Sequence, residues 1–135
     1  MQRATQALAS VESLPLSDAY GPLLKDYGGV IDLPKGFSYQ VISRVGQTMS
    51  DGLVTPGIHD GMAAFSGAGG RIILVCNHEV DPEDSLASPL GIHNQLLKKI
   101  GQRKFYDYGM GKRPALGGTT TLVYNPKTRE VEKEF

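Results

Sequence analysis

Thr119-Thr120-Thr121-Leu122-Val123-Tyr124-Asn125-Pro126-Lys127-Thr128-Arg129-Glu130-Val131-Glu132-Lys133-Glu134-Phe135 carries the plainest structural signal in the chain. Its first six residues are β-branched, aliphatic or aromatic, the residue types that suit a pleated and half-buried surface. Asn125-Pro126-Lys127-Thr128 then has the composition of a turn. Residues 129–135 resume in extended form, so the segment reads as a β-hairpin.

Working back from the hairpin, Arg71-Ile72-Ile73-Leu74-Val75-Cys76-Asn77 is a short run apolar on both faces, the pattern of a buried inner strand. Ser66-Gly67-Ala68-Gly69-Gly70 precedes it as a turn, and Met62-Ala63-Ala64-Phe65 reads as another short strand. Residues 46–61 are rich in glycine and polar groups and read as a surface loop. Before them, the turn Asp32-Leu33-Pro34-Lys35-Gly36 leads into alternating Phe37, Tyr39 and Val41, which predicts a strand over 36–44.

Between Asp81 and Gly118 lies a connection well beyond the ~12–15 residues at which structureless loops become uncommon. Ile92, Leu96, Leu97 and Ile100 share one helix face with Lys98 and Lys99 outward, which predicts a short helix over 92–100. Residues 1–27 begin with Ala4, Leu8, Val11 and Leu14 at helical spacing, then meet Pro15 and Gly21-Pro22. They read as a peripheral arm, and residues 28–135 as the domain proper. With 17 glycines and 8 prolines, the fold class is mainly β, with one short helix in a long inter-strand connection.

Basic and acidic residues balance at 14 each, so no global field draws the chain to nucleic acid or to an anionic membrane, and neither is expected as a partner. The longest apolar run, Ile72 to Cys76, is far short of the roughly 20 residues that span a bilayer. Met1-Gln2-Arg3-Ala4 opens no export signal. The glycines at 67, 69 and 70 are not followed by the lysine and hydroxyl of a P-loop, and Gly111-Lys112 leads to Arg113. Ser66 lacks the flanking glycines of a nucleophile elbow. Cys76 has no second cysteine for a disulfide or a structural zinc site, and reads as a buried thiol. Lys98, Lys99, Arg103 and Lys104, beside Phe105, Tyr106 and Tyr108, read as a solvated face and a loop anchored by aromatics.

Cys76-Asn77-His78-Glu79 is the chemically informative segment. Side chains alternate along a strand, so Asn77 and Glu79 face one side, Cys76 and His78 the other. An amide oxygen and a carboxylate converging at a strand end suit a hard cation such as calcium. His59-Asp60-Gly61 adds a second carboxylate beside a glycine, with Asp60 as a further metal candidate. His59 and His78 are expected to support the ligands by packing and hydrogen bonding. No residue is assigned a catalytic role.

Five segments, Asp32–Tyr39, Thr48–Gly52, Pro56–Met62, Cys76–Glu79 and Gly117–Tyr124, resemble in order and rough spacing the PhoX-type alkaline phosphatases of bacteria. The resemblance covers about residues 28–135 and implies one to two blades of a six-bladed β-propeller, in a parent exported to the periplasm or secreted. It also implies hydrolysis of phosphate monoesters with calcium and iron at the propeller centre. Of the family's site, the resemblance carries over Asn77 to Glu79 and, more weakly, His59 to Gly61. The family's metal-bound cysteine and paired glutamates belong to later segments, so Cys76 is not that ligand. Two readings follow: a phosphatase fragment, truncated at the carboxyl end and inactive alone, or a noncatalytic β-propeller-like module for binding or assembly.

Overall fold

The computed structural model describes residues 19–135, and the amphipathic spacing at 4–14 lies outside them. The described residues fall into two compact units, one ending at Gln40 and the other running Val41–Phe135.

In the first unit, β1 (Leu23–Leu24) pairs antiparallel with β2 (Leu33–Pro34). The Asp26 carboxylate organises the loop between them: it accepts the N–H groups of Gly28 and Val30, each at 2.9 Å, and the Tyr39 hydroxyl at 2.6 Å. Tyr20 and Phe37 meet edge to face with centroids 5.5 Å apart. The strand expected over 36–44 is not formed. Lys35-Gly36 closes a turn after β2, with the Phe37 N–H on the Pro34 carbonyl, and the alternating Phe37, Tyr39 and Val41 that follow stay substantially exposed. Alternation alone makes no ladder when no neighbouring strand receives it.

The second unit is built on one antiparallel sheet of order β3 (His59–Ser66), β4 (Ile72–His78), β5 (Gly118–Asn125) and β6 (Glu130–Glu134). The predicted strands at 71–77, 119–124 and 129–135 thus form within a residue or two of expectation. The short strand expected at Met62–Phe65 extends back to include His59 and Asp60. In the β5–β6 hairpin, Asn125 shapes the turn: its side-chain oxygen accepts the Lys127 N–H at 3.0 Å, and its carbonyl the Arg129 N–H at 2.8 Å.

β4 is an inner strand by position, yet Ile72 to Val75 are only half-buried, and β3 is exposed throughout. The expectation of burial on both faces is therefore corrected. The tightest apolar packing lies under the β4–β5 connection, where Val80, Ala87, Leu90 and Leu116 are buried and Leu97, Ile100 and Phe105 pack on them. The expected helix at 92–100 is replaced by two 3-10 turns, Ile92–Asn94 and Leu97–Lys99. His93 and Asn94 have positive φ, and the Ser88 hydroxyl donates to the Asn94 side-chain oxygen at 2.9 Å, so side-chain bonding wins over helical propagation. Leu97 and Ile100 still face inward as the spacing implied, whereas Ile92 is exposed.

The loop at 46–61 is partly internal. Met49, Thr55, Pro56 and Gly57 are buried, and the loop edges β6 through the Ser50 N–H on the Glu134 carbonyl at 2.7 Å.

Candidate functional site

The polar end of β4 is the only segment where sequence chemistry and topology converge on one place among the described residues. Strand alternation operates as expected: Cys76 and His78 are buried, Asn77 is half-buried and Glu79 is exposed. The Cys76 thiol lies 3.4 Å from the Asn77 carbonyl and faces away from the Asn77 side chain.

His78 is 2% exposed and satisfied at both ring nitrogens, Nδ1 lying 2.9 Å from the Gly57 carbonyl and Nε2 2.8 Å from Thr120 Oγ1. A carbonyl only accepts, so Nδ1 carries a proton, and in the neutral ring Nε2 accepts from the Thr120 hydroxyl. His78 thereby ties the 46–58 loop to β5 across β4. Two glycines let the backbone close around it. A Cβ on Gly57 would lie 2.7 Å from the Ala87 Cβ, and one on Gly117 3.0 Å from the His78 carbonyl oxygen.

The β3–β4 register contains a bulge that decides where Asp60 goes. His59 stands opposite His78 and Met62 opposite Cys76, so Asp60 and Gly61 together face the single residue Asn77. Such a bulge re-aims side chains at a strand end. Here it brings Asp60 Oδ2 within 3.4 Å of Asn77 Nδ2. Asp60 therefore sits in a strand and not in the surface loop expected over 46–61. On the other side of β4, Thr119 is the register partner of Asn77.

The His59 ring lies 4.6 Å from that of His78, centroid to centroid. Loss of hydration, then repulsion from His78, pushes the His59 imidazole below its ordinary range, against a smaller opposing effect of Glu134. His59 is exposed, so solvent screens much of this shift. Between His59 and Gly57, Ile58 adopts φ +49°, a strained conformation for a β-branched residue, while its carbonyl accepts the Glu79 N–H at 3.2 Å.

The structure thus brings together Asp60 and Asn77 on one side, and His59 and His78 on the other. Glu79 continues the Asn77 side, past the last residue of β4. No group of three or more His, Cys, Asp or Glu residues poised around a common point occurs among the described residues. Sequence reasoning gave no role to Thr120 or Gly57, the two partners of His78. Both lie in segments quoted for the family resemblance, but a hydroxyl and a carbonyl far apart in the chain carry no local signal. Gly117 to Thr120 also line a cleft of about 300 Å³ that reaches Leu90, Lys104 and Tyr106.

No curated protein and no solved structure gives a significant match to the chain. The family model described as alkaline phosphatase PhoX matches residues 18–133, which includes the Asp60–Asn77 pair and all of the four-stranded sheet but its last residue, Glu134. With nearly its full length matched, this chain belongs to the alkaline phosphatase PhoX family.

Proposed function

We propose that the chain is part of a metal-dependent phosphatase acting on phosphate monoesters, and that Asp60, Asn77 and Glu79 contribute oxygen ligands to its metal centre. The family match carries the reaction class. The observation that carries the site is the β3 bulge, which sets the Asp60 carboxylate beside the Asn77 amide at the end of β4.

Carboxylate and amide oxygens fit calcium in donor type. Calcium takes six to eight oxygens, so these side chains make up only part of a coordination shell, which supports inactivity of this segment by itself. Neither Cys76 nor His78 is placed to add a sulfur or nitrogen ligand to this oxygen set: the Cys76 thiol faces the opposite side, and both nitrogens of His78 are engaged by Gly57 and Thr120. A bound divalent cation would hold phosphoryl oxygens and neutralise developing charge. The chain's own part is to position: β4 presents Asn77 and Glu79, the bulge presents Asp60, and His78 locks the strand end from behind.

The four-stranded meander β3–β6 has the strand number of one propeller blade, and its exposed β3 and half-buried β4 suit a sheet that packs on neighbours. The same exposed strand favours the second reading, an assembly module without catalysis. Location in the periplasm or outside the cell rests on the family resemblance.

The test is made in the complete gene product, with a chromogenic phosphate monoester and elemental analysis side by side. Glu79→Gln and Asp60→Asn are expected to lower bound calcium and turnover together, while Cys76→Ala keeps its metal. Full metal loading and normal turnover in both carboxamide variants would overturn the site. An inactive, metal-free parent would overturn the phosphatase reading and leave the assembly module.

A further inference from the structure

The neutral net charge conceals an uneven distribution. Residues 98–113 hold six of the 14 basic residues, Lys98, Lys99, Arg103, Lys104, Lys112 and Arg113, and only one of the 14 acidic residues, Asp107. All six cations are exposed. The acids nearby are largely engaged: Asp107 accepts the Gly109 N–H at 2.7 Å, and Glu83 pairs with Arg113.

The packing of their neighbours leaves each of these cations at the surface. Leu97, Ile100 and Phe105 anchor the segment on the core of Val80, Ala87, Leu90 and Leu116, the Tyr108 ring meets that of Phe105 at a 59° tilt with centroids 5.3 Å apart, and Pro114 is buried. Between those anchors the chain bulges away from the core in short 3-10 turns at Gln102–Lys104 and Gly109–Gly111. A second, independent feature lies in the same segment. Tyr106 is 101% exposed and Met110 94%, the two most exposed large apolar side chains of the second unit. Packing has claimed Phe105 and Tyr108 and left their neighbours in water.

We propose that this segment is a peripheral docking surface for an anionic lipid bilayer. Clustered Lys and Arg draw a surface to anionic headgroups. A tyrosine ring suits the headgroup level, and an exposed methionine partitions toward the acyl boundary. Single-stranded nucleic acid would use the cations and stack on Tyr106, but its solvated bases offer the Met110 side chain less apolar burial than the acyl boundary does. No helix among the described residues is long and apolar enough to cross a membrane, so the contact is with the surface.

Flotation of the full chain with phosphatidylcholine vesicles, alone or mixed with phosphatidylserine, tests this. Capture by the mixed vesicles is expected, weakening as salt is raised. Arg103→Gln with Lys104→Gln should lower partitioning about 25-fold, from roughly fivefold per cation. Tyr106→Ser with Met110→Ser should lower it while keeping the salt dependence. The hairpin control, Lys127→Gln with Lys133→Gln, should leave it unchanged. All are exposed positions, and matching thermal melts establish that each variant folds. Absence of capture at low salt, or equal capture by every variant, overturns the proposal. So does displacement from vesicles by a single-stranded oligonucleotide whose binding needs Tyr106 but not Met110, which would assign the surface to nucleic acid.

Discussion

His78 Nε2 lies 2.8 Å from Thr120 Oγ1, joining the end of β4 to β5 through a ring that is almost wholly out of water. The other nitrogen reaches the Gly57 carbonyl, so one side chain holds three parts of the second unit in place. Removing the hydroxyl leaves a buried nitrogen without a partner, which costs about 1–3 kcal/mol. Thr120→Val is therefore expected to lower the urea midpoint by that measure, and Thr120→Ser to retain most of it. Equal midpoints for Thr120→Val and the parent would show that the bond is not needed.

Gly57 stands where a methyl group has no room. The nearest atom is the Ala87 Cβ, which has no torsion with which to move aside, so Gly57→Ala must shift backbone. Overpacking of this kind costs about 1–3 kcal/mol. The shift should also carry the Gly57 carbonyl away from His78. Thermal melts would record the loss, and slower amide exchange at Glu79 than in the parent would argue against it.

Thr55 is 0% exposed and its hydroxyl has no hydrogen-bond partner, while its backbone bonds to Gly46 and Gln47 are in place. Valine has nearly the same shape without the polar atom. Thr55→Val is expected to raise stability by about 1 kcal/mol, read as a higher urea midpoint at unchanged slope. A lower midpoint would mean that the hydroxyl is satisfied in solution.

Asp26 provides a titration test in the first unit. The Tyr39 hydroxyl, then the N–H groups of Val30 and Gly28, hold its carboxyl down to about 2. A group depressed in the folded state stabilises above its unfolded value, and that contribution is lost as pH falls through the folded one. Order in the 26–39 loop should therefore persist at pH 4 and decline only as pH falls toward about 2. Tyr39→Phe should raise the Asp26 midpoint, followed by its carboxyl resonance. An unmoved midpoint would take the hydroxyl out of the account.

What the amino-acid sequence determined by itself was local. Thr119 to Tyr124, the Asn125 turn and the apolar run at 72–76 specify strands because side-chain type and period act over a few residues, and the matching hairpin forms. Alternation at Cys76-Asn77-His78-Glu79 likewise separates buried from open positions without reference to the rest of the chain. The readings that failed needed distant partners. Residues 36–44 alternate but pair with no strand, and 92–100 has a helical face that His93 and Asn94 break by adopting positive φ. Only the tertiary structure placed Asp60 beside Asn77, because a one-residue bulge in β3 has no composition of its own. Only it joined His78 to Gly57 and Thr120, which lie 21 and 42 residues away in the chain. Hydrogen bonds across such separations depend on how loops close, and that is set by packing under the 79–117 connection, not by any segment read alone.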